Sequence, residues 1–553
     1  MMRRAVPWPA AGLLAVLAAT VALYAPFLGN PLVFDDKLFF SGRLFAYYAT
    51  HPIGLDLRLP AYFSLTMTEV VWGGVVAQRV VSLVLHSGCV LLLYKLLADA
   101  QRMALPGAPQ PDVVARAAIG AGAFALHPVA VYGAGYLVQR SIVLATLFSL
   151  ACALLMLRGL RRRSYANALS AALGFSLAVL SKEHAVLLPA ALLPLAVVAR
   201  PERRFALRYV ALFVAACAPA AIFVLLRSLR ILGGVYEEAA GAVAAQIEAA
   251  AGGDAIVPSL ALSAVTQAGL FFKYLALWFW PDTSAMAIDL RVDFLAGWTP
   301  AWIATKVAAF AACGALGAWL VLRSGAVGLA GCGLLFAWLM FFVEFTTVKL
   351  QEPFVLYRSY LWAPGYFLLL VAALSRLPWR AACALGLAAC ALLAYAAHDR
   401  LTTFSSPLRL WTDAVAKLPE TPVPWGSRTL YGAGREYLYA GHVEQALAVT
   451  QTCVRRYPQT AQCIYARGVV HLQSKAFEAA RADLVRAIEL QPKSGIQYHR
   501  LGLALECLGR FDEAKENYRL AERFGFRGGL MELQRLDRLP LPPPRDKLAP
   551  ACR

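Results

Sequence analysis

Charge is scarce in this chain. Only 15% of its 553 residues are Asp, Glu, Lys or Arg, 60% are hydrophobic, and the mean hydropathy is +0.59. One soluble globule of that length needs more polar surface, so a membrane protein is implied. Acidic residues are scarcest, with 33 Asp and Glu against 52 Lys and Arg, a formal net charge of +19. The basic residues stand in short clusters between apolar runs, as in cytoplasmic loops, so nucleic acid is not an expected partner. The 11 cysteines include no Cys-x-x-Cys pair and no His/Cys cluster at zinc spacing, and seven of them, Cys89 to Cys390, lie inside apolar runs. A metal site is therefore not expected. No small-residue cleavage site follows the basic start Met1 to Arg4 and the apolar stretch Pro9 to Leu28, which is expected to remain as a first transmembrane helix.

Apolar stretches long enough to cross a bilayer core recur near 9–28, 77–98, 113–131, 141–157, 165–180, 184–199, 208–226, 301–322, 326–345, 359–375 and 381–397. If these eleven spans alternate, Met1 to Arg4, Lys95 to Arg116, Arg158 to Arg163, Arg200 to Arg208, Arg323, and Arg376 to Arg380 all fall on one side, which reads as cytoplasmic. Leu262 to Trp280 is interrupted by Gln267 and Lys273 and ends in Trp278, Phe279 and Trp280, so it reads as an interfacial or re-entrant helix. The segments 29–76, 227–300 and 346–358, the turns 132–140 and 181–183, and everything after 397 then face the periplasm or a lumen. The Ala-rich, Arg-over-Lys composition points to a bacterial inner membrane.

From residue 427 a period of 34 residues repeats Gly434, Gly468 and Gly502, then Ala446, Ala480 and Ala514, then Pro458 and Pro492. Small residues where two helices cross and proline where the second must stop mark tetratricopeptide repeats. The expected organisation is a membrane domain 1–398, a connector 399–426, repeats 427–460, 461–494 and 495–528 with a final helix to 535, and a Pro-rich extended tail 536–553. Such a solenoid is expected to bind an acceptor or partner protein. Cys453 and Cys463 end and begin adjacent helices, so a disulfide between them is expected in an oxidising compartment.

The outer segments hold the residues that could carry chemistry. Asp35 and Asp36 lie a few residues beyond the first span, where one carboxylate could act as base and the other orient a substrate. His127, Arg140, Lys182, Glu183 and Arg358 stand at the outer ends of spans, where polar groups are costly and so call for a function. A guanidinium or ammonium suits a phosphate, which gives Arg140, Lys182 and Arg358 as donor-phosphate ligands and His127 and Glu183 as substrate-binding residues.

The order Phe34-Asp35-Asp36, His127-Pro128-Val129, Gln139-Arg140-Ser141, Ser181-Lys182-Glu183, Tyr357-Arg358-Ser359-Tyr360-Leu361, then Leu410-Trp411-Thr412-Asp413-Ala414 and terminal repeats, resembles the transmembrane and tetratricopeptide repeat-containing O-mannosyltransferase-like proteins. That family belongs to the C-type glycosyltransferase (GT-C) superfamily. The resemblance implies an all-α, GT-C-like bundle and an inverting transfer of sugar from a polyprenyl-phosphate-linked donor to a hydroxyl, expected to be that of a protein Ser/Thr. It also implies Asp35 or Asp36 as the essential outer-loop acid. It departs where the family often has an acid two positions before the arginine, since Leu356 stands there and Glu352 is out of register. No cofactor is expected beyond the lipid-linked sugar. A non-enzymatic membrane scaffold for envelope or pilus assembly and a lipid-linked sugar transporter remain open as alternatives.

Overall fold

The computed structural model describes residues 8–51, 56–229, 232–234, 259–294, 298–540 and 542–552. The basic start Met1 to Arg4 lies outside them. The described residues are helical throughout apart from turns, loops and one isolated bridge between Leu290 and Phe354. They form two units, Met1–Pro407 and Leu408–Arg553.

In the first unit, seven helices are long and apolar enough to cross a membrane, a bent pair makes an eighth, and four shorter apolar helices accompany them. Only 22%, 17% and 22% of the apolar windows of Arg203–Ser228, Pro300–Val321 and Trp379–Thr403 are buried within the protein, so their remaining apolar faces need lipid. The chain is an integral membrane protein.

Contacts at the helix ends sort them into two sets. At one end Arg161 reaches Asp99, Arg163 pairs with Glu202, Arg116 donates to the Leu377 carbonyl, and Gly325 lies against Leu105. The basic clusters at 95–116, 158–163, 200–208, 323 and 376–380 thus share that end. At the other, Asn30 donates to the Leu401 carbonyl, Arg79 to the carbonyls of Asn30, Pro31 and Gly135, and Gly233 to that of Thr346.

The helix Ser259–Phe279 is long and apolar enough to span, and its side-chain hydrogen bonds go to one neighbouring connection. The chain leaves Arg203–Ser228 at the second end, where Gly233 meets Thr346, and enters Pro300–Val321 there as well. Between them, Ser263 accepts from Lys349, Gln267 donates to Pro353, Tyr274 to Val355, and Trp278 to Ser359, all on the connection that follows Gly325–Phe345 or its continuation. These bonds fasten Ser259–Phe279 along the connection that follows Gly325–Phe345.

The bent pair is Gln110–Ala125 with Pro128–Ala134, meeting at 64°. His127 precedes a proline, which disfavours helical backbone, and takes φ −75° and ψ 133°.

The second unit stacks helical hairpins Gly426–Tyr439 with Val443–Arg456, Ala461–Gln473 with Phe477–Leu490, and Gly495–Cys507 with Phe511–Arg523, followed by Gly528–Asp537. At Gly468 and Gly502 a Cβ would press on Leu484 and on Tyr518, which is why the period keeps glycine there. Leu408 to Trp425 belong to the second unit, where the Trp411 ring packs over Gly432. Two disulfides form, the expected Cys453–Cys463 and also Cys507–Cys552. The second folds the tail back: Ala549 is fully buried, where composition alone predicts an extended segment. The seven cysteines of the membrane unit are all free.

Candidate active site

Asp35 and Asp36 open the short helix Asp35–Ser41, after Phe34 at φ +47°. A positive φ at phenylalanine is strained, and such strain is held by surrounding contacts. Asp36 supplies one of them: fully buried, its carboxylate accepts from the backbone N–H of Val33 at 3.3 Å and of Val138 at 2.8 Å. Burial raises this carboxyl to about 7, against the pull of those two N–H groups and Arg79. Asp35 is only half-buried, and its backbone N–H donates to the Tyr136 hydroxyl at 3.0 Å. Asp36 thus ties the first outer segment to the 135–140 turn, and Asp35 is the more accessible carboxylate.

Tyr136 leads onward. Its ring lies 6.3 Å from that of Tyr357, and the Lys182 ammonium lies 5.6 Å from the Tyr357 ring centre. Lys182 is 3% exposed, and its ammonium makes no hydrogen bond or ion pair among the described residues. Burial first, then Arg58 and more weakly Arg358, push its amine down to about 7.

Its cationic neighbours are better provided for. Arg58, at φ +65°, grips Glu183 with two hydrogen bonds, Nε to Oε2 at 3.1 Å and Nη2 to Oε1. Arg358 donates to Glu344 at 3.0 Å and to the Glu352 carbonyl at 3.0 Å, with the Glu352 carboxylate 3.5 Å away. Burial works against its charge, but Glu344, with Tyr357, Tyr274 and Glu352, outweighs it and holds the guanidinium above its ordinary value. His184 stands 3.6 Å from Glu183 and 3.4 Å from Glu344. Lys349 joins the same field, lowered by burial and raised by Glu344. Arg58, Lys182, Lys349 and Arg358 therefore face Glu183, Glu344 and Glu352, and the carboxylate contacts go first to the two arginines.

Arg140 and His127 sit apart from this cluster. Arg140 is fully buried, with Nε on Ser82 at 3.2 Å, Nη1 on Thr68 at 3.2 Å and Nη2 on the Gln78 carbonyl and side chain at 2.7 and 2.8 Å. Those partners knit helix Leu59–Val71 to helix Gly74–Ala104. His127 caps Pro128–Ala134, its Nδ1 accepting from Val129 at 3.1 Å, and stacks on Trp278 at 4.3 Å. Contacts thus link Asp35, Asp36, Lys182, Glu183 and Arg358; Arg140, within electrostatic reach of Asp36, and His127 spend their side chains on neighbouring helices.

An apolar groove of about 410 Å³ runs from the turn that carries Glu183 between Glu183–Ala199 and Arg203–Ser228, lined by Val186, Leu187, Leu193, Val214, Cys217 and Ile222. Of its lining residues Val186 and Leu187 belong to the turn Glu183–Leu187, which Lys182 precedes. Among the described residues no three His, Cys, Asp or Glu side chains gather as a metal site.

The sequence reading missed Arg58, Glu344 and Lys349. Glu344 carried a signal, as a lone acid within an apolar run; Arg58, far from any motif, carried none.

A tetratricopeptide repeat family model matches residues 461–494 and 498–523, the second and third repeats. Among solved structures the chain is similar to the archaeal oligosaccharyltransferase AglB from Archaeoglobus fulgidus, in complex with an inhibitory peptide and a dolichol-phosphate, at 13% identity and a TM-score of 0.35. The match covers 79% of this chain and spans 59% of that one.

Proposed function

We propose that this protein is an inverting membrane glycosyltransferase of GT-C type. It moves a sugar from a polyprenyl-phosphate donor to a hydroxyl, that of a protein Ser or Thr, on the periplasmic or lumenal face of a bacterial inner membrane. The observation that carries the reading is Lys182, a buried cation that makes no ion pair among the described residues. Burying an unpaired charge is costly, and an anion arriving beside it offsets the cost. The neighbouring apolar groove is suited to a prenyl chain, and Asp35 is linked to Lys182 through Tyr136 and Tyr357.

In this reaction the Asp35 carboxylate takes the proton of the acceptor hydroxyl. The hydroxyl oxygen bonds to the anomeric carbon from the face opposite the phosphate, the bond from that carbon to the phosphate oxygen breaks, and polyprenyl phosphate leaves with the electron pair. Lys182, with Arg358 behind it, stabilises the charge that develops on the leaving phosphate. Asp36, Arg140, Glu183 and His127 position these groups: Asp36 through Val138, Arg140 through Gln78 and Thr68, Glu183 through Arg58, and His127 by capping its helix. The repeats, facing the same compartment, present the acceptor protein; their two disulfides support an oxidising location.

The test is mass spectrometry of envelope proteins and glycolipids from cells carrying the wild type or Asp35→Asn. A glycan present in the first and absent in the second, at equal membrane insertion, is expected. Unchanged glycans in the variant would sink the assignment.

A further inference from the structure

The third repeat departs from its period at one place. Where the first two repeats have Leu438 and Leu472, the third has Glu506, and the next position, Tyr439 and Gln473 in the others, is Cys507. Glu506 is 1% exposed, so a carboxylate has been buried where leucine serves the fold elsewhere. Its oxygens are used on the tail. Oε1 accepts the backbone N–H of Ala549 at 2.6 Å, while Oε2 accepts from Tyr518 at 2.9 Å and Arg535 at 2.6 Å. Arg535 in turn donates to the backbone carbonyl of Lys547 at 2.8 Å. Ala549 is fully buried in a cluster with Leu503 and Leu536, and the Cys507–Cys552 disulfide fastens the segment beyond it.

We propose that Glu506 and Arg535 form a peptide-binding site of which the tail is the occupant in cis. The pair reads main chain, the C=O of Lys547 and the N–H of Ala549 two residues on, and the Ala549 methyl group fills a fully buried place in the cluster with Leu503 and Leu536. Main-chain contacts of this kind depend on backbone shape more than on side-chain identity. The partner is therefore a segment of another protein that takes the tail's shape, two short 3-10 turns with a small residue where Ala549 now sits, and it binds by displacing the tail. A dithiol donor opens the latch by exchange: its two thiols pass two electrons and two protons to the sulfurs of Cys507 and Cys552 and leave as a disulfide.

The test uses the full chain in detergent and a synthetic peptide of residues 545–553 that keeps its cysteine. In a glutathione redox buffer, the Cys552→Ser chain should form a mixed disulfide between Cys507 and the peptide at least tenfold faster than with a scrambled peptide of the same composition, read by intact mass. Glu506→Gln in that chain, or tryptophan in place of alanine in the peptide, should slow it about tenfold. Equal rates for native and scrambled peptides overturn the proposal. A second measurement needs no substitution: fluorescence anisotropy of the labelled peptide, its cysteine replaced by serine, with wild-type chain before and after reduction. Binding only after reduction supports the site; none in either state overturns it.

Discussion

Replacing Lys182 by methionine should stabilise the protein and abolish its recognition of lipid phosphate. Lys182 is 3% exposed; methionine keeps the length of the stem and loses the ammonium, which makes no hydrogen bond among the described residues. Burial, Arg58 and Arg358 lower the amine to about 7, against about 10.4 for a free lysine; at about 1.4 kcal/mol per tenfold change in proton affinity, the fold bears on the order of 4 kcal/mol at neutral pH. The sign comes from the lowered value. Stability associated with this group is complete above the free value and is lost as pH falls through about 7. Lys182→Met should therefore melt a few degrees above wild type at pH 7, with the advantage shrinking toward pH ~10. Scanning fluorimetry in detergent reads this directly. Added polyprenyl phosphate should raise the wild-type melting temperature and leave the variant unmoved, because a bound anion stabilises only the state that binds it. A variant less stable than wild type at pH 7, or equal stabilisation of both by the lipid phosphate, refutes the reasoning.

Asp36→Asn addresses the opposite shift. Its carboxyl, raised to about 7 by burial, contributes stability that is complete below the free value and lost as pH rises through about 7, so the variant should flatten the stability profile between about pH 4 and 7 in the same assay. Arg58→Ala leaves half-buried Glu183 without its partner and should cost about 1 to 3 kcal/mol in chemical denaturation, with Arg58→Met/Glu183→Gln recovering part of the loss. Cys453→Ser opens a loop of 10 residues and should destabilise the repeats by about 2.7 kcal/mol in the chain-entropy account, measurable by urea titration under oxidising conditions. A reporter fused after residue 400 should read periplasmic or lumenal, and cytoplasmic activity would place Ser259–Phe279 across the bilayer.

Architecture was legible where it rests on periodicity and charge. Apolar runs fix the spans, and the basic clusters share an end because alternating helices return them there. In Leu262 to Trp280 the polar interruptions have partners, Gln267 donating to Pro353 and Trp278 to Ser359. The site was legible only in part. Motif order selects polar residues at helix ends, but nothing in a sequence says which are already satisfied. Arg140 and Lys182 look alike in the sequence; one spends its donors on Ser82, Thr68 and Gln78, and the ammonium of the other makes no hydrogen bond among the described residues. Arg58, the partner that occupies Glu183, lies 125 positions from it. The tail was misread for a similar reason: Pro540 to Pro544 do exclude helix, but Cys552 returns to Cys507, 45 positions earlier, and pins the segment beyond those prolines.

The arrangement bears on the choice between scaffold and enzyme. A fold needs the pair Arg358 with Glu344, since breaking it leaves a buried charge alone, and it uses the half-buried pair Arg58 with Glu183. It does not need Lys182, where methionine or leucine would pack against Tyr357 without any desolvation cost. A scaffold therefore has no use for a lysine at that position, whereas an enzyme that receives an anion there does. The same argument separates the two aspartates. Asp36 is bound by the Val33 and Val138 N–H groups and serves the fold whichever reading holds, while Asp35, half-buried beside Tyr136, is the carboxylate whose conversion to asparagine should remove transfer and leave stability in place.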